Sequence, residues 1–478
     1  MAPRGLWWIG LVMSCAFVAA CSVPNPRSCL DGLCSDPAFP FCDVDGAIGG
    51  TAGTCIAVTC EPGTVDACRA DSALVCSSQG GNYDVVPCPR GCDAALEGGC
   101  RECSEDEHCP AQRPICGASG TCGGCTADDE CASGVCHASM GTCAAPSEVV
   151  YAAPLGTAGG SCDQANPCAL DRAIVVATAP TTPLIVRLTP GTYATPLSVT
   201  TPHKLLVVAT GALFGDGSRI IANAGADLTV RGFEYVSSVP HTTNIECWGS
   251  TSVRTRLSLL DGTMDISGGS GIELTRCDLE LERVRLAAES FSFNVYDEGS
   301  VRAVRTWIRG HKSAPWDIVA IAGTRITLLN SVLEDVALAL GAVSPMPSAP
   351  PHLIAYSTLV GDGARIRFSN GPSSPQVRAE NSVFFSSAGS AAPFDYVSYV
   401  SSLSYPVAPR PPGVVEGEPR FVDLAGSDFR LAAGSPAIDA ATLGSPQLDV
   451  NVDFTGASRP IGAAKDIGAF EHGDPTAP

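Results

Sequence analysis

A short β-strand pattern recurs at nearly even spacing through the second half of this 478-residue chain. Its copies follow one another every 22 to 27 residues and begin at Leu205, Leu228, Val253, Leu279, Val301, Ile326, Leu353 and Val377. A period of this length, built from brief strands and not from helix pairs, is typical of a solenoid in which each coil stacks on its neighbours. The repeat therefore predicts an all-β domain whose hydrophobic core runs through successive coils.

Two positions within each copy indicate how a coil is folded. The strand start and the residue two places later are apolar in every copy except at Thr255, as expected for the face of a strand that points inward. Five residues after the strand start, six copies carry a hydroxyl: Thr210, Ser258, Thr306, Ser331, Thr358 and Ser382. Because a small hydroxyl can satisfy backbone groups at a bend, we predict a bend at this position.

The charge of the chain excludes one class of partner. The formal net charge is −20, and the only lysines are Lys204, Lys312 and Lys465. Binding to nucleic acid needs a basic surface that neutralises phosphates. The sequence therefore predicts no nucleic-acid partner.

The N-terminus has the pattern of a targeting segment. Arg4 precedes an apolar run that is too short to span a membrane, so residues 1–20 are predicted to be a signal peptide. The ending Val-Ala-Ala-Cys21 resembles the lipobox of bacterial lipoproteins, which implies lipidation of Cys21, a tether over residues 21–28 and membrane attachment through the lipid alone. Ser22 resembles the residue found in lipoproteins sorted to the outer membrane. Val-Met-Ser-Cys15 is a second, weaker match to the lipobox, because the apolar run before it is shorter. The other alternative is ordinary cleavage and an extracellular protein.

Residues 29–149 form a cysteine-rich segment. Eighteen of the 24 cysteines lie between Cys29 and Cys143, and so short a segment with few large apolar residues needs cross-links to fold. We predict disulfide modules, two of them in tandem, with the cysteines Cys103, Cys109, Cys116, Cys122, Cys125, Cys131, Cys136 and Cys143. Spacing leaves the connectivity open. In the solenoid, Cys247 and Cys277 are also expected to pair.

Metal binding is the alternative use of this segment. The two CxxC pairs, Cys100 with Cys103 and Cys122 with Cys125, have the spacing of zinc ligands but fall at module junctions. Acidic loops between cysteines leave calcium open as a cofactor. The segment resembles the cysteine-rich modules that precede larger domains in bacterial surface lipoproteins, which implies a stalk or an interaction module.

Both ends of the repeat region resemble known β-helix proteins. The stretch "VVYAAPLGTAGGSCDQANPCALDRAIVVATAPTTPLIVRLTPGTY" resembles the opening of right-handed parallel β-helix proteins of the pectin-lyase-like superfamily. The run "SPAIDAATLGSPQLDVNVDFTGASRPIGAAKDIGAFE" resembles the terminal block of the choice-of-anchor Q type. The resemblance implies an all-β fold, a right-handed single-stranded parallel β-helix over residues 150–478, preceded by a small disulfide-rich, loop-rich region.

The residues of the opening stretch predict how the N-terminal end of the β-helix is covered, and the resemblance implies how the C-terminal end is covered. Residues 169–177 would form a helix that plugs the N-terminal end, and Cys162 and Cys168 would close a small loop there. The terminal block, residues 435–471, would close the other end of the coil stack.

One set of polar residues is the candidate site for chemistry. Just after the strand, similar offsets in successive coils are occupied by Asp261, Glu289, His311, Lys312, Asp335 and Asp362. Stacked coils would place them on one ridge, with paired carboxylates for calcium or for acid/base chemistry on a glycan. Trp307 and Trp316 could stack on sugars, although Trp307 could also pack inward. Any exposed turn of a solenoid is polar, however, so the same residues are expected without a function.

Three functions remain in contention from the sequence. The first is a surface-anchored lipoprotein whose β-helix binds an extracellular glycan or envelope component without catalysis, with the glycan neutral or bridged by calcium. The second is a polysaccharide lyase or glycoside hydrolase that uses the ridge. The third is a structural or adhesive protein of the envelope.

Overall fold

The structure is a computed structural model that describes residues 28–29, 33–48, 50–69, 71–179, 184–239, 243–266, 271–288, 292–310, 316–320, 324–340, 352–368, 377–386, 397–406, 412–442 and 450–473. Cys21, Glu289, His311 and Lys312 lie outside these residues. The described residues fall into two compact units. The first runs to Cys131 and includes Cys136–Cys143; the second contains Ala132–Val135 and the residues from Ala144 onward.

The first unit is built from short antiparallel strands joined by disulfides. Its strands are β1 (Phe41–Asp43), β2 (Thr54–Ile56), β3 (Val65–Arg69), β4 (Ser72–Cys76), β5 (Tyr83–Pro87), β6 (Ile115–Cys116), β7 (Cys122–Gly123), β8 (Cys136–His137) and β9 (Thr142–Cys143). Its disulfides are Cys29–Cys42, Cys34–Cys55, Cys60–Cys76, Cys68–Cys92, Cys88–Cys100, Cys103–Cys116, Cys109–Cys122, Cys125–Cys136 and Cys131–Cys143. Disulfides in this number persist in oxidising compartments, so the protein is extracellular or otherwise exported.

The two tandem four-cysteine modules share one design. In each, the first cysteine is bridged to the third and the second to the fourth. A 3₁₀ helix follows the first cysteine, over Asp106–His108 in one module and Asp128–Glu130 in the other. The carboxylates of Asp106 and Asp128 accept the backbone N–H of Cys116 and Cys136 at 2.7 and 2.9 Å. The acidic residues of these loops therefore hold the hairpins in place.

The second unit begins with β10 (Val149–Thr157) and α1 (Leu170–Thr178). Its coils then comprise β11 (Ile185–Leu188), β12 (Gly191–Tyr193), β13 (Leu197–Val199), β14 (Lys204–Val208), β15 (Ala212–Phe214), β16 (Ile220–Asn223), β17 (Asp227–Arg231), β18 (Glu234–Ser237), β19 (Ile245–Trp248), β20 (Thr255–Ile266), β21 (Ile272–Thr275), β22 (Cys277–Ala288), β23 (Ser292–Tyr296), β24 (Ser300–Val304), β25 (Trp307–Arg309) and β26 (Trp316–Ala320). The remaining strands are β27 (Arg325–Leu329), β28 (Val332–Glu334), β29 (Val336–Leu340), β30 (His352–Ala355), β31 (Thr358–Val360), β32 (Arg365–Phe368), β33 (Val377–Glu380), β34 (Val383–Phe385), β35 (Val397–Val400), β36 (Ser402–Tyr405), β37 (Val414–Val415), β38 (Phe421–Asp423) and β39 (Asp428–Leu431).

These strands form a parallel β-helix, which confirms the predicted fold class. A typical coil contributes two strands to one long bent sheet and a third strand to a second sheet, as β27, β28 and β29 do. All pairings between coils are parallel, for example Val301 with Ile326 and Val332 with Thr358. Inward-pointing apolar side chains of successive coils make one continuous core. Among the described residues, no helix has the length and hydrophobicity needed to span a bilayer.

The observed register corrects two of the eight predicted strand starts. The residues that stack in one inward column are Leu205, Leu228, Leu257, Leu279, Val301, Ile326, His352 and Val377. Val253, predicted to be inward, is 44% exposed and precedes the strand. Leu353 lies one residue out of register, so the buried His352 takes the inward position. Val253 in a loop and Leu353 on the outer face of a strand are apolar, so both match the pattern that predicts an inward residue.

In eight successive coils, from the coil of Leu228 onward, one bend is made by a residue of positive φ. The stacked residues are Gly232, Asp261, Arg283, Arg305, Asn330, Tyr356, Asn381 and Ser401, with φ between 44° and 72°. In the last five coils, a buried hydroxyl follows directly: Thr306, Ser331, Ser357, Ser382 and Ser402. Each of the last four accepts the backbone N–H of the hydroxyl residue in the coil before it, at 3.1 to 3.2 Å. The predicted bend is thus present at Thr306, Ser331 and Ser382, and it is stabilised by a ladder of hydroxyls. Ser258 lies instead within β20, Thr358 begins β31 directly after the bend hydroxyl of Ser357, and Thr210 is exposed.

Helix α1 and two disulfides are also part of this unit. The buried face of α1 contains Leu170, Ala173, Ile174 and Ala177, which belong to the continuous core. Cys162 is bridged to Cys168, and Cys247 on β19 is bridged to Cys277 on β22.

The described part of the C-terminal block, residues 416–442 and 450–473, lies along the side of the coils. It was expected to close the end of the stack. Instead Phe429, Leu431, Ile467 and Phe470 pack against the outer side chains of β28, β31, β34 and β36, namely Val332, Val360, Val383, Phe385 and Leu403. Outward apolar residues on these strands, together with polar side chains at the bends, provide the surface on which the block folds.

Candidate functional site

A cleft of about 400 Å³ opens where the C-terminal block meets the coils. One wall is the hairpin β38–β39, and the other is formed by the bend and outer face of β22 and β25. Its charged and aromatic lining includes Arg283, Arg285, Arg305, Arg430, Trp307 and Phe454. It is therefore an arginine-rich and aromatic cleft on a chain that is acidic overall.

Trp307 forms the floor of this cleft and is held on several sides. Its indole N–H donates to the carboxylate of Glu334 at 3.2 Å. Phe429 and Phe454 contact the ring edge-to-face, with centroids 5.9 and 6.3 Å away. The guanidinium of Arg285 lies 4.8 Å from the ring centroid. Trp307 was considered as a stacking face for sugars; in the structure this ring is already occupied by protein groups.

Most arginines of the cleft have carboxylate partners. Arg283 pairs with Asp261, at 2.9 Å for one contact, and with Glu282. Hydrogen bonding to Asp261 raises the pKa of the Arg283 guanidinium. Glu282 also accepts from Arg305 at 3.1 Å.

Arg430 also has a carboxylate partner, whereas Arg285 has none in the described part of the chain. Arg430 pairs with Asp428, and this bond keeps the pKa of the Asp428 carboxyl below its ordinary value. The exposed Arg285 stacks on Trp307 and has no carboxylate within salt-bridge distance among the residues that the structure describes. It therefore supplies the uncompensated positive charge of the cleft.

A second cleft, of about 270 Å³, lies on the other side of the hairpin. It is lined by Glu334, Asp335 and Asp362, with Leu424 and Phe429 from the block. Besides Trp307, the buried Glu334 carboxylate accepts the hydroxyl of Ser427 at 2.6 Å. Asp335 is 2% exposed and accepts the backbone N–H of Gly363 at 3.2 Å. Both buried carboxylates are engaged in holding the protein together.

The structure brings together part of the predicted ridge. Asp335 and Asp362 line the same cleft, beside the bend that follows the second strand of their coils. Asp261 lies at the other bend, in the column of positive-φ residues, and pairs with Arg283. The coil of Asp261 starts at Leu257 and not at Val253, so its offset is four residues shorter than predicted. Glu289 and His311 lie outside the described residues.

Sequence reasoning missed the role of Arg285 and of the C-terminal residues in the cleft. Arg285 and Trp307 each lie six residues after the strand start of their coil, and the two pair in register across neighbouring coils. That shared offset is a signal the sequence contains. The contributions of Arg430 and Phe454 could not be found in this way, because they come from the block that folds back along the coils.

Among the described residues, no three carboxylates lie close enough together to share a metal ion. The sets of three or more ligand-type side chains that lie close together there consist of cysteines, and these cysteines are in disulfides. In the acidic inter-cysteine loops, Asp106 and Asp128 accept backbone N–H groups, and Glu130 accepts those of Thr126 and Ala127. These carboxylates act as caps of the loops.

Comparison with known proteins finds a similar fold among solved structures. No known protein family matches the chain, and no curated protein sequence matches it. Among solved structures, the chain is similar to the crystal structure of pectate lyase Pel9A, with 16% sequence identity and a TM-score of 0.41. The alignment covers 68% of this chain and 96% of that protein. The similarity concerns the fold, and the activity in that protein's name is not transferred to this chain.

Proposed function

We propose that this protein is an exported, lipid-anchored surface protein whose β-helix binds an extracellular glycan without cleaving it. The observation that carries the proposal is the cleft of about 400 Å³ beside Trp307, which combines hydrogen-bond donors with apolar walls. Binding sites for small ligands combine apolar and aromatic surface with a few polar groups that fix the orientation. Arginine donors match the oxygen acceptors of sugars and their substituents, and an exported chain meets glycans outside the cell.

The state of the carboxylates supports binding over catalysis. Hydrolysis of a glycoside by two carboxyl groups needs an acid and a base or nucleophile that face the substrate. Glu334 and Asp335 are 4% and 2% exposed, and each already accepts hydrogen bonds from the protein. Asp261 is paired with Arg283. Of the described ridge residues, Asp261 and Asp335 are thus committed to structure, and Asp362 is exposed and also interacts within the protein.

A polysaccharide panel, with and without calcium, tests the proposal. The mature protein is expected to retain at least one polysaccharide and to produce no new chain ends. New chain ends would indicate a lyase or hydrolase instead, and their loss in Asp335→Ala or His311→Ala would place that activity on the ridge. Neither retention nor cleavage across the panel would favour a structural or adhesive role.

The lipid anchor is tested separately, by acyl labelling in a bacterial host. Labelling and membrane association are expected to depend on Cys21, because the acylated cysteine would be the first residue of the mature chain. Cys21→Ala should abolish both, and Cys15→Ala, which alters a cysteine inside the signal peptide, is the matched control. Labelling that persists in Cys21→Ala would refute the anchor.

A further inference from the structure

We infer that the cleft beside the hairpin β38–β39 binds an anionic group of a glycan, a sulfate or a carboxylate, and that Arg285 is the side chain that holds it. The inference deepens the proposed glycan binding and rests on it. It names the charge of the ligand, its place on the molecule and the residue that recognises it.

The charges of the cleft are opposite to those of the chain as a whole. The chain has a net charge of −20, yet this one cleft is lined by Arg283, Arg285, Arg305 and Arg430. The carboxylates paired with these arginines are Asp261, Glu282 and Asp428. Glu334, against the Trp307 indole, pairs with Arg309 outside the cleft at 3.5 Å. Among the described residues, these five guanidinium groups against four carboxylates leave one positive charge. A cleft with this charge in an acidic protein is electrostatically complementary to an anionic ligand.

Arg285 is the guanidinium that is ready to bind. It lies on the exposed side of β22, and its charge is placed 4.8 Å from the Trp307 ring centroid and not against a carboxylate. Stacking on an aromatic ring uses the flat face of a guanidinium. The N–H groups lie in the plane of the guanidinium and are directed away from its faces, so they can form paired hydrogen bonds with two oxygens of a sulfate or carboxylate.

The support beneath Arg285 is fixed before any ligand arrives. Trp307 is held by Glu334, Phe429 and Phe454, and Glu334 is in turn held by Ser427 of the hairpin. Holding a binding group in position reduces the entropy that is lost when a ligand binds. The C-terminal block therefore builds the site as well as lining it.

The carboxylates nearby do not remove this charge. Glu282 is shared by Arg283 and Arg305, and Asp428 is held by Arg430. An anionic group that enters the cleft would meet Arg285 first and the half-exposed Arg283 next to it. Arg283 and Arg305 add to the positive potential in the cleft, but some of their N–H groups are already bonded to their carboxylate partners.

Three polysaccharides with one backbone distinguish the source of the charge: dextran, dextran sulfate and carboxymethyl-dextran. The test measures retention of the mature protein by affinity electrophoresis, with the panel described above run in parallel. We expect retention by at least one charged dextran to exceed that by neutral dextran at least tenfold, and to weaken as salt is raised. Whichever charged form is retained more strongly identifies the group.

Variants then assign the binding to the cleft. Arg285→Ala should lower retention by the charged dextran at least tenfold. Arg285→Lys keeps the charge but loses the planar guanidinium, so its retention should lie between that of the wild-type protein and that of Arg285→Ala. Arg302→Ala is the matched control: Arg302 is an exposed solenoid arginine, 47% accessible and paired with Glu280, that does not line the cleft. Unchanged thermal unfolding of Arg285→Ala would show that the fold is intact.

The outcomes separate the two proposals. If charged and neutral polysaccharides are retained equally, or Arg285→Ala and Arg302→Ala behave alike, the anion site is wrong while glycan binding stands. If the protein retains no polysaccharide in either set, the proposed function fails, and the inference fails with it.

Discussion

A positive-φ backbone conformation, repeated at one bend of eight successive coils, limits which residues the solenoid accepts there. Residues such as Arg305, Asn330 and Asn381 adopt positive φ, which carries a steric cost for residues other than glycine. In the later coils this cost is offset by the hydroxyl that follows, which is buried and satisfies backbone groups of its own coil and of the coil before it. Asparagine tolerates this conformation better than most residues, which fits its presence at two of the bends.

Removing one hydroxyl from the ladder should destabilise the solenoid. Ser331 is fully buried; its hydroxyl accepts the N–H of Thr306 at 3.2 Å and donates to the Leu329 carbonyl at 2.9 Å. Ser331→Ala leaves a buried N–H without that partner, so we expect a loss of about 1–3 kcal/mol in the free energy of unfolding, measured with urea. Ser398→Ala, an exposed hydroxyl on a strand, should change it by less than about 0.5 kcal/mol. Equal effects of the two substitutions would contradict the role of the ladder.

A buried histidine should make the solenoid sensitive to acid. His352 is 2% exposed, and its ring accepts the backbone N–H of Ile326 at 3.1 Å. Burial, with a smaller contribution from the charge of Arg325, lowers the pKa of His352 from 6.5 to about 4. Between these values the unfolded chain binds a proton that the folded chain does not, so stability falls as the pH is lowered from about 6.5 towards 4.

The variant His352→Gln isolates this effect, because glutamine does not titrate. Relative to the variant, the wild-type protein should lose about 3 kcal/mol between pH 7 and pH 4, from the size of the pKa difference. Urea unfolding at several pH values measures it. Parallel pH dependence of the two proteins would show that His352 is not the group responsible.

At the scale of elements, the docked C-terminal block depends on one buried ion pair. Arg459 is enclosed between the block and the coils; it donates to Glu471 at 2.7 Å, to the Gly468 carbonyl at 2.8 Å and to Asn330 at 3.3 Å. Burial lowers the pKa of this guanidinium, and the neighbouring carboxylates act in the opposite direction. The apolar side chains around it contribute by leaving water, at about 1.5–3 kcal/mol for each fully buried large residue.

Breaking that pair should loosen the block. Arg459→Met leaves the Glu471 carboxylate buried without its charged partner, a change that typically costs about 3–5 kcal/mol. We expect a loss of this size in urea unfolding, and earlier cleavage of the block by a protease. Tryptophan fluorescence is a suitable probe because Trp307 contacts the block. Arg302→Ala, which breaks an exposed pair, should cost at most about 1 kcal/mol. A similar loss in both variants would contradict the role assigned to Arg459.

The strands of the coils show which parts of the fold could be predicted from the sequence. The two-residue alternation of strands such as Leu279–Leu281 is a local property, so the solenoid and its inward face could be predicted. Leu257 was missed because the loop before it contains Val253, and loop length cannot be read from alternation. Thr358 was predicted at the bend in place of Ser357 because the strand start of that coil was placed one residue too late, at Leu353 and not at His352.

The candidate site was harder to predict because it depends on contacts distant in sequence. Asp335 and Asp362 could be placed near each other by counting along neighbouring coils. The neighbouring Glu334, by contrast, is held by Ser427 of the C-terminal block, at a separation of 93 residues. No repeat period relates that block to the coils, so the arginine cleft could be found only in three dimensions.

At the scale of the whole molecule, the two units are stabilised by different means. The first has nine disulfides in its described residues and a small apolar core around Phe41, Leu74 and Tyr83. The second has two disulfides and a core that continues from coil to coil. Each disulfide typically contributes about 2–4 kcal/mol, so the first unit should depend on its bridges and the second should not.

Mild reduction of the disulfides should therefore unfold the first unit before the second. With dithiothreitol, we expect thiol labelling and protease cleavage to appear first between Cys29 and Cys143, while the β-sheet circular dichroism signal remains. Cys247 and Cys277 are fully buried in the solenoid core and should be protected from labelling until the solenoid unfolds. Simultaneous labelling of Cys247 and of the N-terminal cysteines would show that the units do not unfold independently.

The position of the C-terminal block has a consequence for how such a chain can change in length. The block contacts Asn330 and Asn381, which are two coils apart, and these contacts require a fixed number of coils between them. Gain or loss of a coil there would put the block out of step with its partners. Coils before Arg283, where the cleft begins, carry no such constraint from the block in the contacts described. The Cys247–Cys277 disulfide fixes the spacing of the coils that it joins. Natural or engineered changes in length are therefore expected in the coils from Leu205 to Ile245, with the ligand cleft carried along unchanged.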